Sequence, residues 1–326
     1  MPIISYPAPF FTASVVDPLM LLVLGILGDA LVGGARVSRI LPGPTALFGR
    51  MVRYLEPRLN RQRRSKATRL IRGLLLVLFL AGMAGAGGLA FVLVAGLIPA
   101  SWVLEVILVA ALLGQGTALV DVISIATRLG DDPVSQDTDR FQVARDGVET
   151  LAHGFIDRGV GPIFWFLLLG LPGMLVYRAI EVTAREAGEW NRKSLFGWAS
   201  ARCYDVVNVL PAILGSLFLI GAGVFVPGTR PLPGLGVMVR QCVAFPSFSQ
   251  GWPLAAVAGL LGVSLGGPRK NDTRVYARST EVPWIGPDGG RAMLKAADVR
   301  RALFVYGLAC LLVLAAVLVA AVISAT

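Results

Sequence analysis

Three ionisable residues recur at helical spacing in the middle of the chain, where Glu149, His153 and Asp157 stand at i, i+4 and i+8. Residues four apart share one face of an α-helix, so these side chains are expected to point the same way. Carboxylates beside an imidazole can hold a divalent cation, which makes Glu149 and Asp157 candidate metal ligands. The alternative is an interfacial helix whose charges are solvated. An apolar segment follows from Gly159. Burying these ionisable side chains beside it costs free energy unless they line a cavity or pair with cations.

A second polar stretch covers residues 178–208. Its first part, 178–189, alternates Glu and Arg at helical spacing, which is typical of a charged helix exposed to solvent. Arg202, Asp205 and Asn208 differ, because they stand at the mouth of an apolar helix, where a polar side chain needs a partner.

Composition excludes several common classes of protein. Hydrophobic residues make up 55% of the 326 residues and charged residues only 15%, and the mean hydropathy is +0.71. A soluble domain carries about 25% charged residues, so the sequence indicates an integral membrane protein. One His and three Cys are too few for a zinc cluster or a disulfide framework. No Walker-type phosphate loop, Ser/His/Asp set or CxxC motif is present.

The predicted fold class is all-α, a polytopic membrane bundle of about six helical segments forming a single domain over residues 1–326. A helix needs about 20 apolar residues to cross the hydrocarbon core. The expected segments are Pro18–Gly34, Gly73 to the turn at Pro99-Ala100-Ser101, Trp102 to about Thr127, Gly159–Tyr177, Val206–Thr229 and Ala302–Thr326.

Three segments need separate interpretation. Asp29 lies inside the first segment, where it marks either a polar cluster in the protein interior or a helix end at the interface. The segment Gly159–Tyr177 is interrupted by Gly170-Leu171-Pro172-Gly173, which favours a helical hairpin over one straight helix. The apolar stretch Phe245–Gly267 is too short to span and is expected to be re-entrant or interfacial.

The segment 36–72 holds eleven Arg and Lys residues against one acidic residue, Glu56. The positive-inside rule places such a segment in the cytoplasm, which predicts an inner (plasma) membrane protein with anionic lipids contacting 36–72. No aromatic-interleaved module accompanies the charge, so the net +10 is not interpreted as nucleic-acid binding.

Several motifs, in order, resemble those of the CbiB/CobD family of cobalamin biosynthesis, the adenosylcobinamide-phosphate synthases. They are Val148-Glu149-Thr150-Leu151-Ala152 with Asp157, Pro162-Ile163-Phe164-Trp165 leading to Gly170-Leu171-Pro172-Gly173, Tyr177-Arg178-Ala179, Phe196-Gly197-Trp198-Ala199-Ser200-Ala201-Arg202 with Asp205 and Asn208, Gly251-Trp252-Pro253, and Leu265-Gly266-Gly267-Pro268.

The resemblance implies a reaction in which ATP drives the joining of an amino alcohol phosphate to cobyric acid, with Mg²⁺ at the site. The implied catalytic residues are Glu149, Asp157 and Asp205, of which Glu149 and Asp157 would hold the metal. The implied residues for substrate or phosphate are Arg178, Lys193, Arg202, Asn208 and Trp252.

The departures from the family pattern fall on polar positions. Acids or amides are expected where this chain has Gly154, Ala184, Tyr204 and Leu254. Three hypotheses follow. The chain is a catalytically degenerate paralogue serving as a binding or accessory subunit, with a larger membrane complex as its partner. Alternatively it is an active synthase with a rearranged site, or a transporter or AmpE-like signalling protein with Asp29, Asp121 and His153 along a polar path.

Overall fold

The computed structural model describes residues 16–32, 43–61, 65–98, 100–131, 138–187, 195–268 and 283–325. Helices account for nearly all of this part of the chain, which confirms the all-α class. Its helices are α1 (Pro18–Val32), α2 (Pro44–Leu59), α3 (Lys66–Ala95), α4 (Trp102–Leu112), α5 (Gln115–Asp131), α6 (Thr138–Phe155), α7 (Gly161–Glu186), α8 (Leu195–Gly223), α9 (Pro231–Gln241), α10 (Phe248–Leu261) and α11 (Ala296–Ala325). A π-helical turn, Ile156–Val160, joins α6 to α7, and the short strands β1 (Leu265–Gly266) and β2 (Trp284–Ile285) pair antiparallel.

Five helical stretches are long and apolar enough to cross a membrane, which confirms the membrane bundle predicted from composition. They are Lys66–Ala95, Trp102–Thr127, Arg140–Glu186, Phe196–Gly223 and Ala296–Ser324. Most side chains of α3 and α11 lie outside the protein core, and large apolar ones such as Phe79 and Phe304 are exposed. Such a surface suits lipid rather than water.

Contacts divide the chain into two compact units, each made of separate segments. The first unit comprises residues 1–116, 161–204 and 313–326, and the second comprises 117–160 and 205–312. The single domain over residues 1–326 stays a prediction.

In the first unit, the segment 36–72 is not a simple loop, because residues 44–59 form the amphipathic helix α2. Its buried residues Phe48 and Val52 face the protein, whereas Arg50 and Arg53 are exposed. Val52 packs in a core cluster contributed by α2, α3, the residue after α7 and the start of α8, whose members are Val52, Leu76, Leu80, Ala187 and Phe196. The remaining parts of 36–72, residues 36–42 and 62–64, lie outside the described residues.

The span predicted from Trp102 to about Thr127 is confirmed, but its helix is interrupted in the middle. Helix α4 ends at Leu112, and Leu113 has an extended backbone before α5 begins at Gln115. Asp29 of α1 lies at this break, where its Oδ2 accepts hydrogen bonds from the backbone N–H groups of Gln115 (2.9 Å) and Gly116 (3.2 Å). The side chain is buried. Asp29 therefore caps a helix start and is buried within the protein, whereas its depth in the membrane stays a prediction.

The predicted hairpin is confirmed within α7. Gly170 has φ 64° and ψ −157°, a conformation that breaks the helix and favours glycine. A methyl group on Gly161 would overlap the Tyr177 hydroxyl, and one on Gly173 would come within 2.7 Å of the Trp165 carbonyl oxygen. In a straight helix residues 161 and 177 would lie about 24 Å apart. The chain therefore reverses at Gly170, and the stretch 140–186 does not cross a membrane as one straight helix.

In the second unit, the short helix α10 is enclosed by protein. Residues 253–261 are all buried, and Gly259 packs so closely on α9 that a methyl group there would come within 2.7 Å of the Gly234 Cα. At 14 residues α10 is too short to span, as predicted, and its burial argues against the interfacial alternative, whereas the re-entrant alternative stays a prediction.

Replacing Asp29 by alanine removes the acceptor for two buried N–H groups, and we expect a loss of about 1–3 kcal/mol of stability. The measurement is thermal unfolding of the purified protein in detergent. Asp29→Asn retains an acceptor oxygen and should lose less. Asp288→Ala, which removes an exposed loop carboxylate, serves as the control. Equal melting temperatures for Asp29→Ala and the control would contradict the capping role.

The hairpin predicts opposite effects for two glycine substitutions. Gly161→Ala forces a methyl group against Tyr177 and should destabilise by about 1–3 kcal/mol. Gly82→Ala in α3 meets open space, so it should be neutral or stabilise by about 0.5–1 kcal/mol. Adding Tyr177→Ala to Gly161→Ala should recover part of the loss, since the two residues are in contact. Simple additivity of the two substitutions would argue against the reversal.

Candidate functional site

Glu149 anchors a glycine loop in the second unit. The carboxylate is buried at 3% exposure on α6, and its Oε1 accepts a hydrogen bond of 2.8 Å from the Gly266 N–H. Gly266 and Gly267 have φ of 75° and 65°, so this loop uses two successive left-handed residues. A charged acceptor strengthens the bond, and the bond compensates the burial of the carboxylate.

Arg145 holds the same loop and was missed by sequence reasoning. Its guanidinium lies 4.8 Å from the centre of the Trp284 ring, and Nη2 donates to the Pro268 carbonyl at 3.4 Å. A methyl group on Gly267 would overlap the Trp284 ring. The available signal was spacing, because Arg145 precedes Glu149 by four residues and therefore shares its face of α6. Together Arg145 and Glu149 fix the loop to α6.

Asp205 organises the start of α10. The residue is fully buried on α8 and accepts hydrogen bonds from the hydroxyls of Ser247 (2.5 Å) and Ser249 (2.8 Å). Ser247 is also the N-cap of α10, where its Oγ accepts from the Gln250 N–H at 3.4 Å. The carboxylate thus supports the N-terminus of α10 through the cap residue. Negative charge is favourable near a helix N-terminus.

The structure brings Asp157 and Asn208 together, with Asn208 Nδ2 donating to Asp157 Oδ1 at 3.4 Å. Asp157 lies in the π-helical turn, so the α-helical spacing that placed it in line with Glu149 and His153 does not continue to it. The His153 ring packs against Phe245, with centroids 5.9 Å apart. Over the described ranges, no three His, Cys, Asp or Glu side chains converge as a metal site.

The basic candidates belong to the first unit. Arg178 is buried and donates to Glu181 at 3.1 Å, and Glu181, also buried, accepts from Arg185 at 2.8 Å. The expectation of a solvent-exposed helix was therefore wrong for Arg178 and Glu181, because this arm of α7 packs against α3. The Arg202 guanidinium lies 5.9 Å from the Trp198 ring centre.

Two other predicted site residues have simpler placements. Trp252 is half-buried on α10. Lys193 lies outside the described residues.

Cys242 offers no activated nucleophile. It is buried between α9 and α10, and burial raises the pKa of its thiol above the ordinary value. A thiol with a raised pKa remains protonated at neutral pH and reacts poorly.

Comparison with known proteins gives a consistent result. A profile of the CobD/Cbib protein family matches residues 22–306. The chain belongs to the CobD/Cbib family. It is 34% identical over 319 residues to the "Cobalamin biosynthesis protein CobD" of a Sinorhizobium species, covering 90% of this chain and 94% of the relative. Proteins of the same name from Rhizobium meliloti (strain 1021) and Brucella suis biovar 1 are 33% and 30% identical, each over 90% of this chain. No solved structure matches.

The positions where this CobD/Cbib chain departs from the expected polar pattern are packed. Tyr204 and Leu254 are 1% and 0% exposed, and Ala184 is 2% exposed. Gly154 is buried too, and a methyl group there would lie 3.3 Å from the Ala118 Cβ. At this last position an asparagine side chain would need Ala118 to move.

The two serines that bond Asp205 allow a matched test. Ser247→Ala loses both the bond to Asp205 and the cap of α10, whereas Ser249→Ala loses only the bond. We expect Ser247→Ala to cost about 0.5–2 kcal/mol more, the usual contribution of an N-cap. The check is the difference in unfolding temperature between the two variants. Equal losses would show that the cap contributes nothing.

Proposed function

We propose that this chain keeps the CobD/Cbib fold but has lost the synthase reaction, and serves as an accessory or binding subunit in membrane steps of cobalamin biosynthesis. The observation that carries the proposal is the packing of Tyr204 and Leu254, which occupy the core where the family resemblance expects carboxylates. Leu254 offers no polar group to a metal or a phosphate, and Tyr204 offers a hydroxyl in place of a carboxylate.

The expected cost to catalysis is large. Phosphoryl transfer depends on charged groups that stabilise charge developing in the transition state, and loss of one such group lowers the rate by about 10²–10³. The departures at Ala184, Tyr204 and Leu254 each replace an expected carboxylate, and the departure at Gly154 replaces an expected amide.

The surviving acids have roles in the fold. Glu149 binds the Gly266 N–H, and Asp205 binds the two serines at the start of α10. A fold that needs these carboxylates would retain them after the reaction was lost. Their presence is therefore compatible with a degenerate paralogue.

An active synthase is the second candidate, favoured by one observation. Glu149, Asp205 and Asn208 are all buried polar residues of the second unit, and buried ionisable groups cluster at functional sites. In this case Glu149 and Asp157 would hold Mg²⁺ with substrate phosphates, since Mg²⁺ often takes one or two carboxylates from the protein.

The transporter or signalling hypothesis has less support. Asp29, the first residue of the polar path, caps α5. This contact accounts for its burial without a transport role.

For the membrane arrangement, we infer that α2 lies on the cytoplasmic surface of the plasma membrane. Its exposed residues include Arg50, Arg53 and Arg58, which suit anionic headgroups. Basic residues also precede and follow this helix in the sequence, which agrees with a cytoplasmic location.

The proposal predicts that the chain fails to restore cobalamin synthesis from cobyric acid in a bacterium deleted for its own synthase. The measurement is cobalamin-dependent growth, with membrane expression confirmed by immunoblot. The Sinorhizobium relative, expressed from the same vector, is the matched positive control. Co-purification from native membranes should instead recover a partner at fixed stoichiometry.

Rescue by this chain that is lost in Glu149→Gln would overturn the proposal. Glutamine keeps the acceptor oxygen for the Gly266 N–H but removes the charge, so loss of rescue would assign a catalytic role to the carboxylate.

A further inference from the structure

The second unit contains an open apolar groove of about 940 Å³. Its walls come from α5, from the turn after α8 and from one side of α11. Ile123, Phe225, Phe304 and Leu311 line it, and each of these side chains is exposed.

Positive charge is confined to one end of this groove. Arg300 and Arg301 line it there, at the start of α11, and the rest of the lining is apolar. Arg300 is exposed and makes no ion pair within the described part of the chain. Arg301 lies 3.7 Å from Asp298, but Asp298 is bound more closely by Arg291 at 3.0 Å. A net positive charge therefore remains at this end of the groove.

The length of the groove matches one leaflet of a bilayer. From Arg300 to Leu311 the helix rises about 17 Å, and half of the hydrocarbon core is about 15 Å. Arginine at the level of the headgroups and apolar side chains along the acyl region are the arrangement that a phospholipid fits.

We propose that this groove retains one anionic phospholipid, with its phosphate at Arg300 and Arg301 and an acyl chain along Phe304 and Leu311. A neutral lipid would fill the apolar part but would leave the arginine pair without a counter-charge. A second copy of the chain is a poorer occupant, because each copy carries a net charge of +10 and would bring mostly basic segments.

The test uses the full chain in nanodiscs of phosphatidylcholine, with and without phosphatidylglycerol. Native mass spectrometry counts the retained lipids, and thermal unfolding reports stabilisation. We expect selective retention of one phosphatidylglycerol and a higher melting temperature in its presence. Arg300→Gln should weaken retention about fivefold, the effect of one basic residue near anionic lipid. Arg240→Gln, an exposed arginine outside the groove, is the control.

A second variant tests the acyl part without altering charge. Gly307 lines the groove and has open space at its Cβ, so Gly307→Leu should fill the groove and lower retention without destabilising the protein in phosphatidylcholine. Gly236→Leu, at an open position outside the groove, should have no effect on retention. Equal retention of the two lipids, unchanged phosphatidylglycerol retention in Arg300→Gln, or unchanged retention in Gly307→Leu would overturn the proposal. A dimer that excludes lipid from the groove would overturn it as well.

Discussion

Backbone N–H groups that leave a helix in an apolar protein have no water to bind, so the protein must supply their acceptors. In the described part of the chain, Asp29 and Glu149 do so directly, and Asp205 does so through a serine hydroxyl. Asp29 binds the first N–H groups of α5, Glu149 binds Gly266, and Asp205 supports the cap residue of α10. Each unit can therefore contain broken or short helices, such as the interrupted pair α4 and α5 or the buried α10, without leaving these backbone groups unsatisfied.

This constraint bears directly on function. Glu149 and Asp205 are two of the three residues that the family resemblance assigns to catalysis, and both also accept hydrogen bonds that hold parts of the fold together. Their survival does not distinguish an active synthase from a degenerate one. The proposal of a degenerate paralogue rests instead on Tyr204 and Leu254, which are packed in the core where the family resemblance expects carboxylates. A membrane subunit that binds but does not react fits both observations.

Much of the fold follows from the sequence, because hydropathy marks long apolar helices and Gly170 with Pro172 marks the hairpin. The break before Gln115 could not be predicted, since its stabilising partner, Asp29, lies 86 residues away. The same limit applies to the site. Family motifs identified Glu149, whereas its bond to Gly266 spans 117 residues and depends on how the chain folds. Burial of Arg178 was also missed, because helical spacing shows which charges share a face but not whether that face is packed.

The central claim, a retained fold without its reaction, is tested most directly by ATP turnover of the purified chain in nanodiscs. Cobyric acid and an amino alcohol phosphate are supplied together, and ADP and phosphate are measured beside the coupled product. The account predicts no ATP consumption above that of nanodiscs lacking the protein, with the Sinorhizobium relative assayed in parallel for comparison. Consumption of ATP that requires cobyric acid and falls in Glu149→Gln would contradict it.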